Sequence, residues 1–190
     1  MLSSCKKEKK ELVEVKQVSS EFILEFLNEI LSDKSESRYF KNEVQLISNF
    51  APMVRDFDYI HDYLEGKKIN SLINYKADIL QTKDTTFIKN QLENKHNFNL
   101  NLLSKYGYKI FDLKKCFDDG IGLLSIDRKI ESENVKNGFE INSPLLMIEK
   151  PTFNKDLNLA YVRIKIGDDG KKVLFKKKNS KWKFFKELST

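Results

Sequence analysis

The sequence predicts an α+β fold, with N-terminal helices packed on an antiparallel sheet that ends in a three-stranded C-terminal meander. Three observations carry this expectation. Residues 160–166 alternate, Val162, Ile164 and Ile166 on one side and Tyr161, Arg163 and Lys165 on the other, which is the period of a half-buried strand. Turn residues at 167–170 and at Asn179-Ser180 separate this run from two more alternating runs, and links that short join antiparallel neighbours. Upstream, Phe22, Ile23, Phe26, Leu27, Ile30 and Leu31 recur at spacings of three and four, the apolar stripe of a helix. A chain of 190 residues with 40% hydrophobic content and 14 Phe can bury a sizeable core. It reads as a tether over 1–18 followed by a single α+β domain over 19–190. No apolar run approaches the ~20 residues of a membrane-spanning helix.

Taken in order, the first helix ends near Asp33 and has Ser19 or Ser20 as its N-cap. Residues 39–50 fit two periods: Val44 and Leu46 alternate like a strand, whereas Phe40, Val44 and Ile47 fit a helix. Pro52 ends either one. A short helix is expected over 56–64, stopped by Gly66, then a short strand or turn around 69–73. Thr82 is expected to cap a helix over 83–94 whose inner face is Phe87, Ile88, Gln91 and Leu92. Strand-like centres follow at Ile110 and Phe111 and over 121–126, with turn-rich sequence at 116–122 and a polar connection at 131–138. Residues 145–148 and 151–153 lead into the meander. There Val173 and Phe175 oppose Lys172, Leu174 and Lys176, while Trp182, Phe184 and Leu188 oppose Lys183, Phe185 and Glu187. One face of the meander is expected on the core and the other in water.

Between Tyr161 and Leu188 there are ten Lys or Arg and three Asp or Glu, a local net of +7 in a chain of formal net charge +6. The candidate basic binding face is Arg163, Lys165, Lys172, Lys176, Lys183 and Lys186, and the partner it suits is an acidic protein. Lysines on a sheet also serve simply to solvate it and to blunt an edge strand. No arginine cluster or base-stacking motif accompanies them, so nucleic acid is not expected. His61 and His96 lie in separate segments without metal-type spacing. Asp118, Asp119 and Asp127 lack the alternating ligands and distal Glu of a calcium loop. No metal and no cofactor are therefore expected. Cys116 reads as a small buried apolar residue, or as a nucleophile where the fold sets a histidine beside it. The glycine loops and catalytic motifs of nucleotide-binding proteins and hydrolases are missing, and no catalytic residue is expected.

Leu2-Ser3-Ser4-Cys5, followed by a Lys/Glu-rich tether at 6–10, resembles the lipobox of bacterial lipoproteins. The resemblance implies Cys5 as the lipid acceptor and attachment to a membrane of the cell envelope through it, on the periplasmic side first and at the cell surface as the alternative. Such proteins carry a basic, apolar leader, which this reading expects ahead of Met1. Two further stretches are similar to a family of small uncharacterised Gram-negative lipoproteins. One is Leu80-Gln81-Thr82-Lys83-Asp84 with Phe87-Ile88 and Gln91-Leu92. The other is Glu149-Lys150-Pro151-Thr152-Phe153-Asn154-Lys155-Asp156 with Ala160-Tyr161 and Asn179-Ser180-Lys181-Trp182-Lys183. The likeness covers residues 80–188, and its tryptophan-bearing hairpin also resembles that of ketosteroid-isomerase-like cones. It implies an exported α+β domain and brings no catalytic residues. The function expected is a lipid-anchored, non-enzymatic domain that binds another macromolecule, one form of which is an immunity protein against a toxin. The alternative is a small-ligand or enzymatic cone in which Tyr161 or His61 lines a pocket between sheet and helices.

Overall fold

A computed structural model of the chain describes residues 17–33, 46–49, 63–64, 67–68, 72–93, 98–167 and 169–188. Cys5, the tether to residue 16, His61, His96 and most of the helix expected over 56–64 lie outside the described residues. Helix α1, Ser20–Ser32, begins where the sequence predicts: the Ser19 hydroxyl accepts a hydrogen bond from the Phe22 N–H at 3.1 Å. That bond satisfies one of the N–H groups a helix start leaves open. Ile23, Leu24, Phe26, Leu27, Ile30 and Leu31 are buried along one side of it.

The chain is α+β, and its sheet is mixed. The strands are β1 (Ile47–Asn49), β4 (Leu146–Ile148), β5 (Thr152–Phe153), β6 (Leu159–Ile166), β7 (Asp169–Lys178) and β8 (Lys181–Leu188), with β2 (Tyr63–Leu64) and β3 (Lys67–Lys68) forming a separate antiparallel pair. The main order is β1-β4-β6-β7-β8, and β5 pairs with β6. The expectation of an all-antiparallel sheet needs correction at β1, which runs parallel to β4. Nearly a hundred residues separate the two strands, long enough for the crossover a parallel pair requires. The meander itself is as predicted, with antiparallel ladders β6–β7 and β7–β8.

Helices lie on both faces of the sheet, which overturns the expected wet face along β6 and the adjoining half of β7, while the hairpin end of β7 and β8 stays open to solvent. On the first, Ile148, Phe153, Ala160, Val162, Ile164, Val173, Phe175 and Trp182 pack against α1 and against Leu100 and Leu103 of a 3-10 helix, Leu100–Tyr106. Phe26 is its hub, edge-to-face with Trp182 at 4.8 Å, Phe153 at 5.1 Å and Phe175 at 5.8 Å, the arrangement that ring quadrupoles favour. On the second face Leu159, Tyr161, Leu174 and Leu188 lie beneath α2 (Leu72–Ile79) and α3 (Thr85–Glu93). Farther along that face, Leu46, Leu145 and Met147 pack with Leu113 and Cys116 of α4 (Leu113–Asp118) and Ile126 of α5 (Leu123–Lys136). Alternation along β6 and β7 carries apolar residues at both parities, because helices bury both sides.

Three local expectations differ from what forms. The strand or turn expected around 69–73 gives way to α2, which starts at Leu72. The strand over 121–126 and the polar link over 131–138 are one helix, α5. Ile126 and Ile130, one turn apart, face the third cluster, while the Glu, Lys and Arg between and after them are good helix formers. In α3 the cap is Asp84, whose carboxylate accepts from the Phe87 N–H at 3.0 Å, and Thr82 supports it by accepting from the Asp84 N–H at 3.2 Å. Helix α3 also completes the sheet. The Gln91 amide donates to the Phe153 carbonyl at 2.8 Å and accepts from the Phe153 N–H at 2.9 Å. One side chain thus stands in for the neighbour that β5 lacks on that edge.

Candidate functional site

The six residues of the predicted basic face divide into two groups. Arg163, Lys165 and Lys172 lie on the helix-covered side of the sheet, with Arg163 opposite Lys172 in the β6–β7 ladder. Lys172 is 5% exposed, so it is interior rather than part of a docking surface. Its ammonium stands 5.6 Å from the centre of the Tyr75 ring, which meets Tyr161 edge-to-face at 6.2 Å. Beside them is a second buried lysine that sequence reasoning missed. Lys76 of α2 is 1% exposed, and its Nζ sits 4.9 Å over the Tyr161 ring. It donates to the Thr152 hydroxyl at 3.2 Å and to the Glu149 carboxylate at 3.4 Å.

Ring faces, a hydroxyl and a carboxylate together make such burial tolerable. Lys150 completes this seam, donating to the Gln91 carbonyl at 3.1 Å. Burial, and then the charge of nearby Lys76, hold the Lys150 ammonium below the usual lysine range. Tyr161, expected as a cavity lining, is instead packed between α2 and the sheet. The signal for Lys76 was faint, since a lysine on a short helix reads as solvent-facing.

The second group forms a surface. In the β7–β8 ladder Lys176 opposes Lys183 and Lys178 opposes Lys181. Alternation sets these four on the same side as Leu174. Lys186 joins them through a β-bulge: Phe175 pairs with Phe184, but Leu174 pairs with Lys186, so Phe185 is the extra residue. Without it Lys183 and Lys186, three positions apart, would point to opposite faces. The bulge also corrects the expected grouping of Trp182, Phe184 and Leu188. Trp182 and Phe184 belong to the first core, whereas Leu188 is in the second.

Phe185 itself is 42% exposed, with the Lys176 ammonium 5.4 Å from its ring centre. The face is therefore Lys176, Lys178, Lys181, Lys183 and Lys186 around an exposed aromatic ring. Lys178, Lys181 and Phe185 were not among the residues expected there. The tight turn at Asn179-Ser180 was the available signal for the first two, since it fixes them as a cross-strand pair.

The outer edge of β8 is closed at one end by α1. The Trp182 N–H donates to the Glu29 carboxylate at 2.7 Å, and Lys183 donates to Asp33 at 2.6 Å. Among the described residues no ion pair engages Lys176, Lys178, Lys181 or Lys186. Lysines stand directly opposite lysines in two alternate rungs, on either side of the Lys177–Trp182 rung, a placement that costs stability. Lys176 and Lys178 are on β7, an interior strand, so edge protection does not account for them.

Cys116 is buried in the third apolar cluster. Among the described residues no three His, Cys, Asp or Glu side chains converge as a metal site, and no helix is long and apolar enough to cross a membrane. Compared with protein-family models, with curated proteins and with solved structures, the chain finds no match in any of the three.

Proposed function

We propose that the chain is a lipid-anchored, non-enzymatic binding domain of the cell envelope, held at the membrane through Cys5, which docks an acidic protein on the lysine face of β7 and β8. The observation that carries this reading is the stacking of Lys178 on Lys181 without a counter-charge among the described residues, with Lys176 beside them on an interior strand. Repulsion across a ladder works against folding. A counter-charge brought by a partner relieves it, and converts that repulsion into steering and affinity. An immunity protein that blocks a toxin is one form such a domain takes.

The experiment is site-specific photo-crosslinking in cells that express the full chain. A photoreactive residue at position 178 or 181 is expected to capture one acidic protein, and the adduct is expected to fall off when Lys176 and Lys186 are changed to Glu. The same probe at Ser125, on α5, serves as the control. Adducts of equal yield and identity from all three positions, or adducts indifferent to the charge changes, would remove the lysine face from the account.

A further inference from the structure

We infer that the lysine face recognises an acidic segment with apolar side chains between its carboxylates, and that Phe185 is the residue that reads the apolar part. This rests on the docking role proposed above and specifies its partner chemistry. Four observations lead to it. The bulge takes Phe185 out of the strand alternation and sets it among lysines rather than in a core, and bulges are a recurrent means of re-aiming a side chain at a site. The ring is 42% exposed although both neighbouring aromatics of β8, Trp182 and Phe184, pack into the first core. The Lys176 ammonium lies 5.4 Å from its centre, and Lys186 follows it in the strand, so the apolar contact it offers adjoins cations, as an anchor adjoins a polar rim.

The fourth observation is the molecule's own use of this strand. Helix α1 and its C-cap already lay two carboxylates, Glu29 and Asp33, on β8, at the Trp182 N–H and at Lys183. The strand thus takes carboxylates from a protein segment in which Ile30 and Leu31 are buried apolar side chains and Ser32 is exposed. An external acidic segment with the same alternation of chemistry suits the remaining lysines, Lys176, Lys178, Lys181 and Lys186, with an apolar side chain over Phe185. A lipid surface would also meet lysines and a phenyl ring, but the carboxylates already seated on this strand favour a protein.

The test uses the full chain and two fluorescent peptides of equal charge in anisotropy titrations. One is octaglutamate, and the other carries eight Glu around a central pair of Leu. The leucine peptide is expected to bind about tenfold tighter. Its advantage is expected to persist at high salt, which screens the lysines and leaves apolar contact intact. Phe185→Ser is expected to bring the two peptides to equal affinity, and Lys178→Gln with Lys181→Gln to weaken both. Circular dichroism melting of each variant checks that the fold is retained. Equal affinity of the two peptides for the wild-type chain would overturn the inference while leaving the docking role standing. So would an advantage that survives Phe185→Ser. Failure of both peptides to bind in a salt-sensitive way would end the docking role as well. Binding to phosphatidylglycerol–phosphatidylcholine vesicles that depends on Phe185 and displaces the leucine peptide would reassign the face to lipid.

Discussion

At the scale of single residues, the interior of this protein depends on two polar side chains whose partners are distant in sequence. Lys76 is buried against Glu149, Thr152 and the Tyr161 ring. Removing the carboxylate strands a buried cation, whereas removing the cation leaves Glu149, whose side chain is 33% exposed, free to find water. Glu149→Gln is therefore expected to cost about 2 kcal/mol and Lys76→Met about 1 kcal/mol, an order that urea titrations of the two variants would check. Lys76→Met carries a second expectation. Because the Lys76 charge helps depress Lys150, the Lys150 Nζ resonance should titrate at higher pH in that variant. Gln91 acts differently, by serving both backbone groups of Phe153. Gln91→Leu leaves a buried N–H and C=O without partners, an expected loss of about 3 kcal/mol, again read from a urea transition.

Single elements depend on caps and registers that composition does not reveal. Asp84 caps α3 through the Phe87 N–H and pairs with Lys155 at 3.0 Å. The Phe87 N–H first, and Lys155 after it, hold the Asp84 carboxyl below its ordinary 3.8. A carboxyl lowered in the folded state gives stability that is present above its unfolded pKa and is lost as pH falls through its folded pKa. Asp84→Asn keeps a capping oxygen without the titration. The acid limb of its stability profile, below about pH 4, should be shallower than that of the wild type in denaturation runs across that range.

In β8 the controlling feature is the bulge. Deleting Phe185 removes the extra residue and makes the ladder regular, with Lys186 still opposite Leu174 and Leu188 still opposite Lys172, so Leu188 stays in the second core. The expected cost is about 1 kcal/mol or less, measured by thermal melting, and about 0.5 kcal/mol or less for Phe185→Ser. Such features mark the boundary of what sequence reading reached. The α1 stripe, the Ser19 cap and the meander turns were legible because each is set by residues within a few positions of one another. The bulge was not, since strict alternation is what a reader assumes through Trp182, Phe184 and Leu188. Nor was the covered second face, because α2 and α5 look too polar to hide a sheet, and only the tertiary arrangement shows Leu174 and Tyr161 beneath α2 and Met147 against α5.

For the whole molecule, charge and stability pull in opposite directions, and the docking reading predicts the sign of both. The chain carries +6 overall, while residues 161–188 alone carry +7, so the rest of the protein offers no excess positive charge of its own. Concentrating the excess on one hairpin places Lys178 opposite Lys181 and Lys176 opposite Lys183. If those lysines were there only to keep the sheet solvated, a Glu at position 178 would serve as well and would turn a repulsive rung into an attractive one. Lys178→Glu is accordingly expected to stabilise the fold by about 0.5 kcal/mol, visible as a small rise in melting temperature. The same substitution is expected to lower the affinity for octaglutamate severalfold and to flatten its salt dependence. A gain in stability joined to a loss of binding is the signature of a surface kept for a partner. A variant that gained stability and bound as before would mean that the like-charged rungs are a tolerated cost of solubility.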